Sequence, residues 1–399
     1  MTAASAPSDP PAVNPRVLVW AREESGWQSD RVARRVGVSP ERLAEWEAGE
    51  RQPTVRQLEV LAQFFHRPLG IFFLPEPPRL PPLAASYRRL PGIRPGAESA
   101  PLRLALRQML NRRERAIALL QELGEDAPSF DGAAHLSEEP AAVGERLRRL
   151  LGVDVETQLG WRDGWQAWRE WRTAAERLGL LVFQFGKVKL SEVRGLSILL
   201  EPLPVAAVNG KEMPEAKAFT LMHEIAHLML AAGREEKPAA AERRSTQEWS
   251  QLERFVEVVA GHALIPNAAL AALVPELGDR VPDTATIRRL SARFRVTPLA
   301  MATRLREAGR MTWPQYRAWR QDWEAYVSTL PPRKGGIATP SQKAVNRAGR
   351  TFVQLVLTAL DTNRITSTDA ARYLDLKLEH FNRLREITVR DMSDAVADE

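Results

Sequence analysis

The 399 residues predict an α+β protein, mostly helical and built from more than one domain, on three observations. Apolar residues recur at helical spacing along most of the chain. Runs of β type are confined to Leu180–Phe185, Leu196–Leu200 and Val205–Asn209, enough for one small sheet. A chain of this length, 44% hydrophobic, can bury a sizeable core and is expected to divide into two or three domains. The absence of cysteine removes disulfides and thiolate metal sites and fits a reducing compartment. The opening MTAASAPSDPPAVNP has no basic stretch leading into an apolar one, and no later run approaches the roughly 18 apolar residues of a membrane helix. The expectation is therefore a soluble cytoplasmic protein that makes no use of a membrane, with residues 1–15 as a disordered tail.

From residue 16 to 75 the helical signals come in short pieces: Val17–Glu24, Gln28–Val36, Pro40–Ala48 and Thr54–Phe64. Gly37, Val38 and Ser39 form a tight turn between the second and third, and Gly49 stops the third. Short helices joined by a glycine-containing turn are the helix-turn-helix pattern, with Val32, Ala33, Val36, Val38, Leu43, Trp46, Leu58 and Leu61 as the expected core. The stretch from Ser29 to Phe65, with its EAGERQP segment, resembles the XRE (lambda-repressor-like) family in spacing. The resemblance implies double-stranded DNA as a partner, with Gln28, Arg42 and Arg51 as the contacting side chains. Charge argues less strongly for it: residues 16–75 carry nine Arg against eight acidic residues, a net of +1, so recognition of a protein is the competing expectation.

Residues 79–115 hold nine Arg against Glu98 and Glu114, a net of +7 where the whole chain carries +6. Such a run would track phosphates or an acidic partner, or else be a solvated helix face behind the Pro-rich spacer PEPPRLPPL. Trp161, Trp165, Trp168 and Trp171 follow near helical spacing and are read as a buried helix packed on the sheet. The edge of that sheet would accept a substrate peptide as an added strand.

Phe219–Leu230 is apolar beyond a single stripe, as a buried helix requires, and contains His223, Glu224 and His227 as HEIAH. Positions i and i+4 of a helix stack on one face, so both imidazoles can bind one zinc ion while Glu224 serves as general base in metal-assisted peptide hydrolysis. A hydrolytic zinc site needs a third protein ligand and leaves the fourth position to water. The next apolar-periodic segment, Trp249–Ile265, offers Glu253 and Glu257 one turn apart. His262 falls about 2.5 turns past Glu253, on the opposite face, and is read as packing.

From Gly179 to Pro266, and most closely in MHEIAHLML and ERFVEVVAGHALIP, the chain resembles the ImmA/IrrE zinc metallopeptidases. The resemblance implies a zincin-like peptidase domain with a small sheet, in which His223, His227 and Glu253 bind zinc and Glu224 is the catalytic base. One position departs: Glu257 stands where the family usually has Asn, which leaves Glu253 and Glu257 both open as the third ligand. HRPLGIFFLPEPP is similar to the usual exit from an XRE module in proteins that fuse it to such a peptidase. The implied substrate is a repressor-like regulator of the XRE type, whose cleavage controls transcription. The alternative is a helix-turn-helix regulator or antitoxin-like binding protein with a structural or sensory metal site.

Beyond Pro266 the pattern is helical again, with two further two-helix units at Ala285–Ala308 and Ser367–Arg385, an expected linker at Leu330–Ser341, and fraying after about Val389. The domain expectation is a tail at 1–15, a helix-turn-helix bundle at 16–75, a basic linker and helix at 76–130, the peptidase domain at 131–275, a helical region at 276–330, a linker at 331–343 and a C-terminal helical region at 344–399. Nothing in the sequence sets an oligomeric state.

Overall fold

A computed structural model describes residues 12–88, 90–277, 281–330 and 338–396. Most of the expected linker and tail, residues 331–337 and 1–11, lie outside the described residues. The chain forms two compact units, one of residues 1–83 with 96–107 and one of 84–95 with 108–399.

In the N-terminal unit, α1 (Pro15–Ser25), α2 (Ser29–Val36), α3 (Pro40–Ala48) and α4 (Val55–Phe65) are followed by a 3₁₀ turn at Leu69–Phe73. Local chemistry explains the boundaries. Asn14, Ser39 and Thr54 cap α1, α3 and α4 through their side chains, and left-handed Gly26, Gly37 and Gly49 end the first three helices. Val32, Ala33, Leu43, Trp46, Leu58 and Leu61 are buried as the pattern requires, joined by Val17, Leu18, Phe65 and Phe72, while Val36 and Val38 pack at the margin. Val13, within the segment read as a tail, is buried too, and its backbone N–H donates to Gln52 Oε1 at 2.9 Å.

Helix α5 (Ala100–Leu123) runs from one unit's residues into the other's, and the second unit continues with α6 (Pro140–Leu151), α7 (Val155–Gly160) and α8 (Gly164–Arg177). The sheet follows: β1 (Leu181–Phe185), β2 (Gly195–Ile198) and β3 (Val205–Asn209), in the order β1-β3-β2. β1 pairs parallel with β3, placing Leu181 opposite Val205, and β2 pairs antiparallel with it, placing Ile198 opposite Val205. All three strands are buried along their length, as a sheet covered by helices must be. Next come α9 (Pro214–Ala232), α10 (Thr246–Leu264), α11 (Asn267–Leu277), α12 (Thr284–Phe294), α13 (Pro298–Glu307) and α14 (Trp313–Thr329). The chain ends with α15 (Pro340–Ala348), α16 (Arg350–Asp361), α17 (Ser367–Leu374) and α18 (Phe381–Val396).

One continuous core joins α6, α8, the sheet, α9, α10, α12, α13 and α14. Trp161, Trp168 and Trp171 lie in it, with Trp161 and Trp171 edge to face at 5.2 Å. Trp165 is exposed and lies 5.1 Å from the Lys217 ammonium. Helices α6 and α10 meet at Gly144, where an added Cβ would stand 2.6 Å from the Val259 carbonyl oxygen and 2.7 Å from His262 Cβ. Among the described residues no single helix is long and apolar enough to cross a membrane.

Candidate metal centre

Helix α9 carries His223, Glu224 and His227, and α10, opened by a Ser245–Glu248 capping box, packs against it and brings up Glu253. Among the described residues, His223, His227 and Glu253 place one donor atom each within 4.8 Å of one another. His223 Nε2 is 3.1 Å from His227 Nε2 and 3.4 Å from Glu253 Oε2, and His227 Nε2 is 3.6 Å from Glu253 Oε1. Tetrahedral bonds of about 2.0–2.1 Å put neighbouring ligand atoms about 3.3 Å apart, so this donor set fits a zinc-sized cation. Glu257 is exposed and stands outside the cluster.

Electrostatics agree with that fit. Burial drives the His227 imidazole well below its ordinary pKa, so it is a neutral ligand type. Burial opposes charge on Glu253, but the His223 contact and Arg88 outweigh it and hold the carboxyl at about 2. With Nε2 of His227 turned to the cluster, its Nδ1 lies 2.8 Å from Glu236 Oε2; when Nε2 binds a metal, Nδ1–H is the donor of this hydrogen bond, the arrangement that fixes the tautomer of a metal-binding histidine. Burial pushes Glu236 up to about 8.

Glu224 lies beside the cluster, fully buried. Ser197 on β2 donates to its Oε2 at 2.6 Å, and Arg88 binds it in a fork, Nε to Oε2 and Nη2 to Oε1, both at 3.0 Å. Arg88 Nη1 also reaches Glu253 Oε1 at 3.3 Å. Burial disfavours the Glu224 carboxylate, yet Arg88 prevails and its pKa lies below the ordinary value. Gly195 lets β2 approach this closely: a Cβ there would stand 2.6 Å from Glu224 Oε1 and 2.4 Å from the Thr220 methyl.

Three of these residues escape a reading of the sequence. Ser197 and Glu236 belong to no motif, and Arg88 is hidden in the basic run. Part of that run is engaged inside the protein, while Arg79 and Arg94 are exposed. Arg88 and Arg113 are buried, Arg113 donating to the Pro202 and Leu203 carbonyls, while Arg103 pairs with Glu98 at 3.4 Å and Arg107 with Glu24 at 2.6 Å.

The DNA-contact candidates lie in the N-terminal unit. Gln28 is exposed at the N-cap of α2 and makes no capping hydrogen bond. Arg42 and Arg51 share one partner, at 3.0 and 3.4 Å from Glu45 Oε2, which offsets part of their charge.

Comparison with known protein families agrees with both halves of this arrangement. Residues 175–306 match a peptidase family described as the IrrE N-terminal-like domain, and residues 18–72 match the helix-turn-helix family. No curated protein matches the chain.

Proposed function

For a chain that joins a helix-turn-helix domain to a peptidase domain of the IrrE N-terminal-like family, we propose a zinc-dependent endopeptidase of the HExxH type that cuts a regulatory protein, an XRE-type repressor, and so controls transcription. The observation that carries it is a compact three-donor cluster, which leaves one tetrahedral position for water or substrate, with a buried carboxylate beside it that is not a member of the cluster. A purely structural site needs no such base and favours four protein ligands.

In this proposal His223, His227 and Glu253 hold the zinc, which when bound polarises the scissile carbonyl and acidifies a water molecule. Glu224 takes the proton from the attacking water and returns it to the leaving amine nitrogen. Ser197 aims the carboxylate, and Glu236 keeps His227 in the tautomer that presents Nε2. The N-terminal unit binds duplex DNA through Gln28, Arg42 and Arg51 and concentrates the peptidase near repressor-bound sites.

The test is co-expression of wild type or Glu224→Gln with candidate XRE-type repressors, reading cleavage by mass spectrometry and transcription by a reporter. A discrete product with wild type only is expected, because losing the base should slow the reaction about 10²- to 10⁴-fold. If both proteins switch the reporter and neither yields a product, the chain acts as a regulator with a structural or sensory metal.

A further inference from the structure

The sheet has two edges, β1 and β2. Helix α15 packs against β1. Along β2 the cover is a short segment, Ala84–Arg88, which leaves a 3₁₀ turn at Leu83–Ala85 and pairs with the strand edge at Tyr87. Leu199 N donates to Ser86 O at 3.1 Å and Arg88 N to Ser197 O at 3.1 Å, an antiparallel pairing centred on Tyr87 and Ile198. On the far side of the segment, Ala239 N donates to Tyr87 O at 2.8 Å and Ala240 N to Ala84 O at 2.9 Å. The segment is thus bridged by backbone hydrogen bonds on one side to the β2 edge and on the other to residues 238–240.

A peptide laid along an exposed strand gains main-chain hydrogen bonds, and the edge of β2 would carry it past the base, because Ser197 on that strand touches Glu224. The segment already holds these positions. Its last residue holds the base as well: Glu224 accepts from Arg88 Nη2 through Oε1, and from Arg88 Nε and Ser197 Oγ through Oε2, so each oxygen already has a donor. A carboxylate so engaged is poorly placed to take a proton from water. Prolines flank the segment at 81, 82, 91 and 95 and interrupt regular structure on both sides of it. In the chain it also lies between the two pieces of the N-terminal unit, residues 1–83 and 96–107, so its withdrawal is covalently linked to that unit.

We propose that Ala84–Arg88 is an internal inhibitory strap: it fills the strand position that a substrate peptide needs along β2, and Arg88 ties up Glu224, so that cleavage waits on displacement of the strap. The proposal rests on the peptidase reading above.

Tyr87 and Ile198 form a non-hydrogen-bonded antiparallel pair, for which Cα atoms lie about 4.5 Å apart, within reach of a disulfide. The chain has no cysteine of its own, so Tyr87→Cys with Ile198→Cys gives a lock that closes on oxidation and reopens on reduction. The probe is a fluorescent peptide hydroxamate, which chelates a zinc ion and extends a peptide beside it, and its binding to zinc-loaded protein is read by anisotropy. The oxidised form should bind at least about tenfold more weakly than the same protein reduced, and Arg88→Ala at least about tenfold more tightly than wild type, since affinity scales with the fraction of open molecules. Should the double variant not fold, Arg88→Ala decides alone. Equal binding by oxidised and reduced lock, or no gain with Arg88→Ala, overturns the strap and leaves the peptidase reading standing. Absence of both zinc and probe binding in every form overturns the metal site, and the strap with it.

Discussion

Glu253 and Glu257 are one helical turn apart and chemically identical, yet only Glu253 faces the two histidines. Glu253→Gln should therefore strip zinc from the purified protein while Glu257→Gln leaves it at about one ion per chain, as measured by atomic absorption. Zinc loss at Glu257 alone would reverse the assignment. Glu236 binds the Nδ1 side of His227, away from the cluster, so Glu236→Gln should keep the fold and weaken zinc affinity by about 10- to 100-fold in a chelator competition. Both changes act through position and not through bulk. Gly195 and Arg88 enter the site in the same way, one by yielding space and the other by reaching in from a distant part of the chain.

Helices α9 and α10 carry the cluster on facing surfaces, and α10 is held from behind by α6. Gly144→Ala drives a methyl group into the Val259 carbonyl and His262, so the crossing must open, at about 1–3 kcal/mol of stability read from denaturant unfolding. His262 lies at that crossing with its imidazole buried, and burial together with Arg304 lowers its pKa from 6.5 to about 4. Between those values the unfolded chain takes up a proton that the folded chain refuses, so stability falls as pH drops through this window. His262→Leu should flatten the fall between pH 6.5 and 4, compared with wild type by thermal unfolding at each pH. An unchanged slope would mean that other groups govern acid unfolding.

At the scale of the molecule, internal ion pairs decide how much of the positive charge reaches a partner. Several of the arginines between residues 79 and 115 are spent on carbonyls and carboxylates of their own unit, so the net charge of the segment overstates what duplex DNA would meet. DNA binding by the N-terminal unit should still weaken with salt, with a logarithmic slope of about −0.9 for each phosphate contacted. Glu45→Gln, which releases Arg42 and Arg51 together, should tighten it. A flat salt response, or no shift with any duplex at low salt, would make protein recognition the work of this module.

The helix pattern of the N-terminal module, the short strands and the HEIAH helix were legible in the chain, because each is written in residues that are neighbours in sequence: capping side chains, turn glycines, and apolar spacing that repeats every few positions. Local periodicity brings His223 and His227 together, and it needs no partner element to do so. That Glu253 and not Glu257 lies beside the two histidines follows from the packing of α10 against α9, which sets the turn of α10 that faces them. Arg88 is the extreme case. It lies 136 residues from Glu224, in a run whose composition points to solvent, and its place is set by a backbone hydrogen bond to Ser197 on β2 that no spacing in the sequence encodes. Burial then binds it to Glu224, since a guanidinium removed from water must find carboxylates to offset its charge.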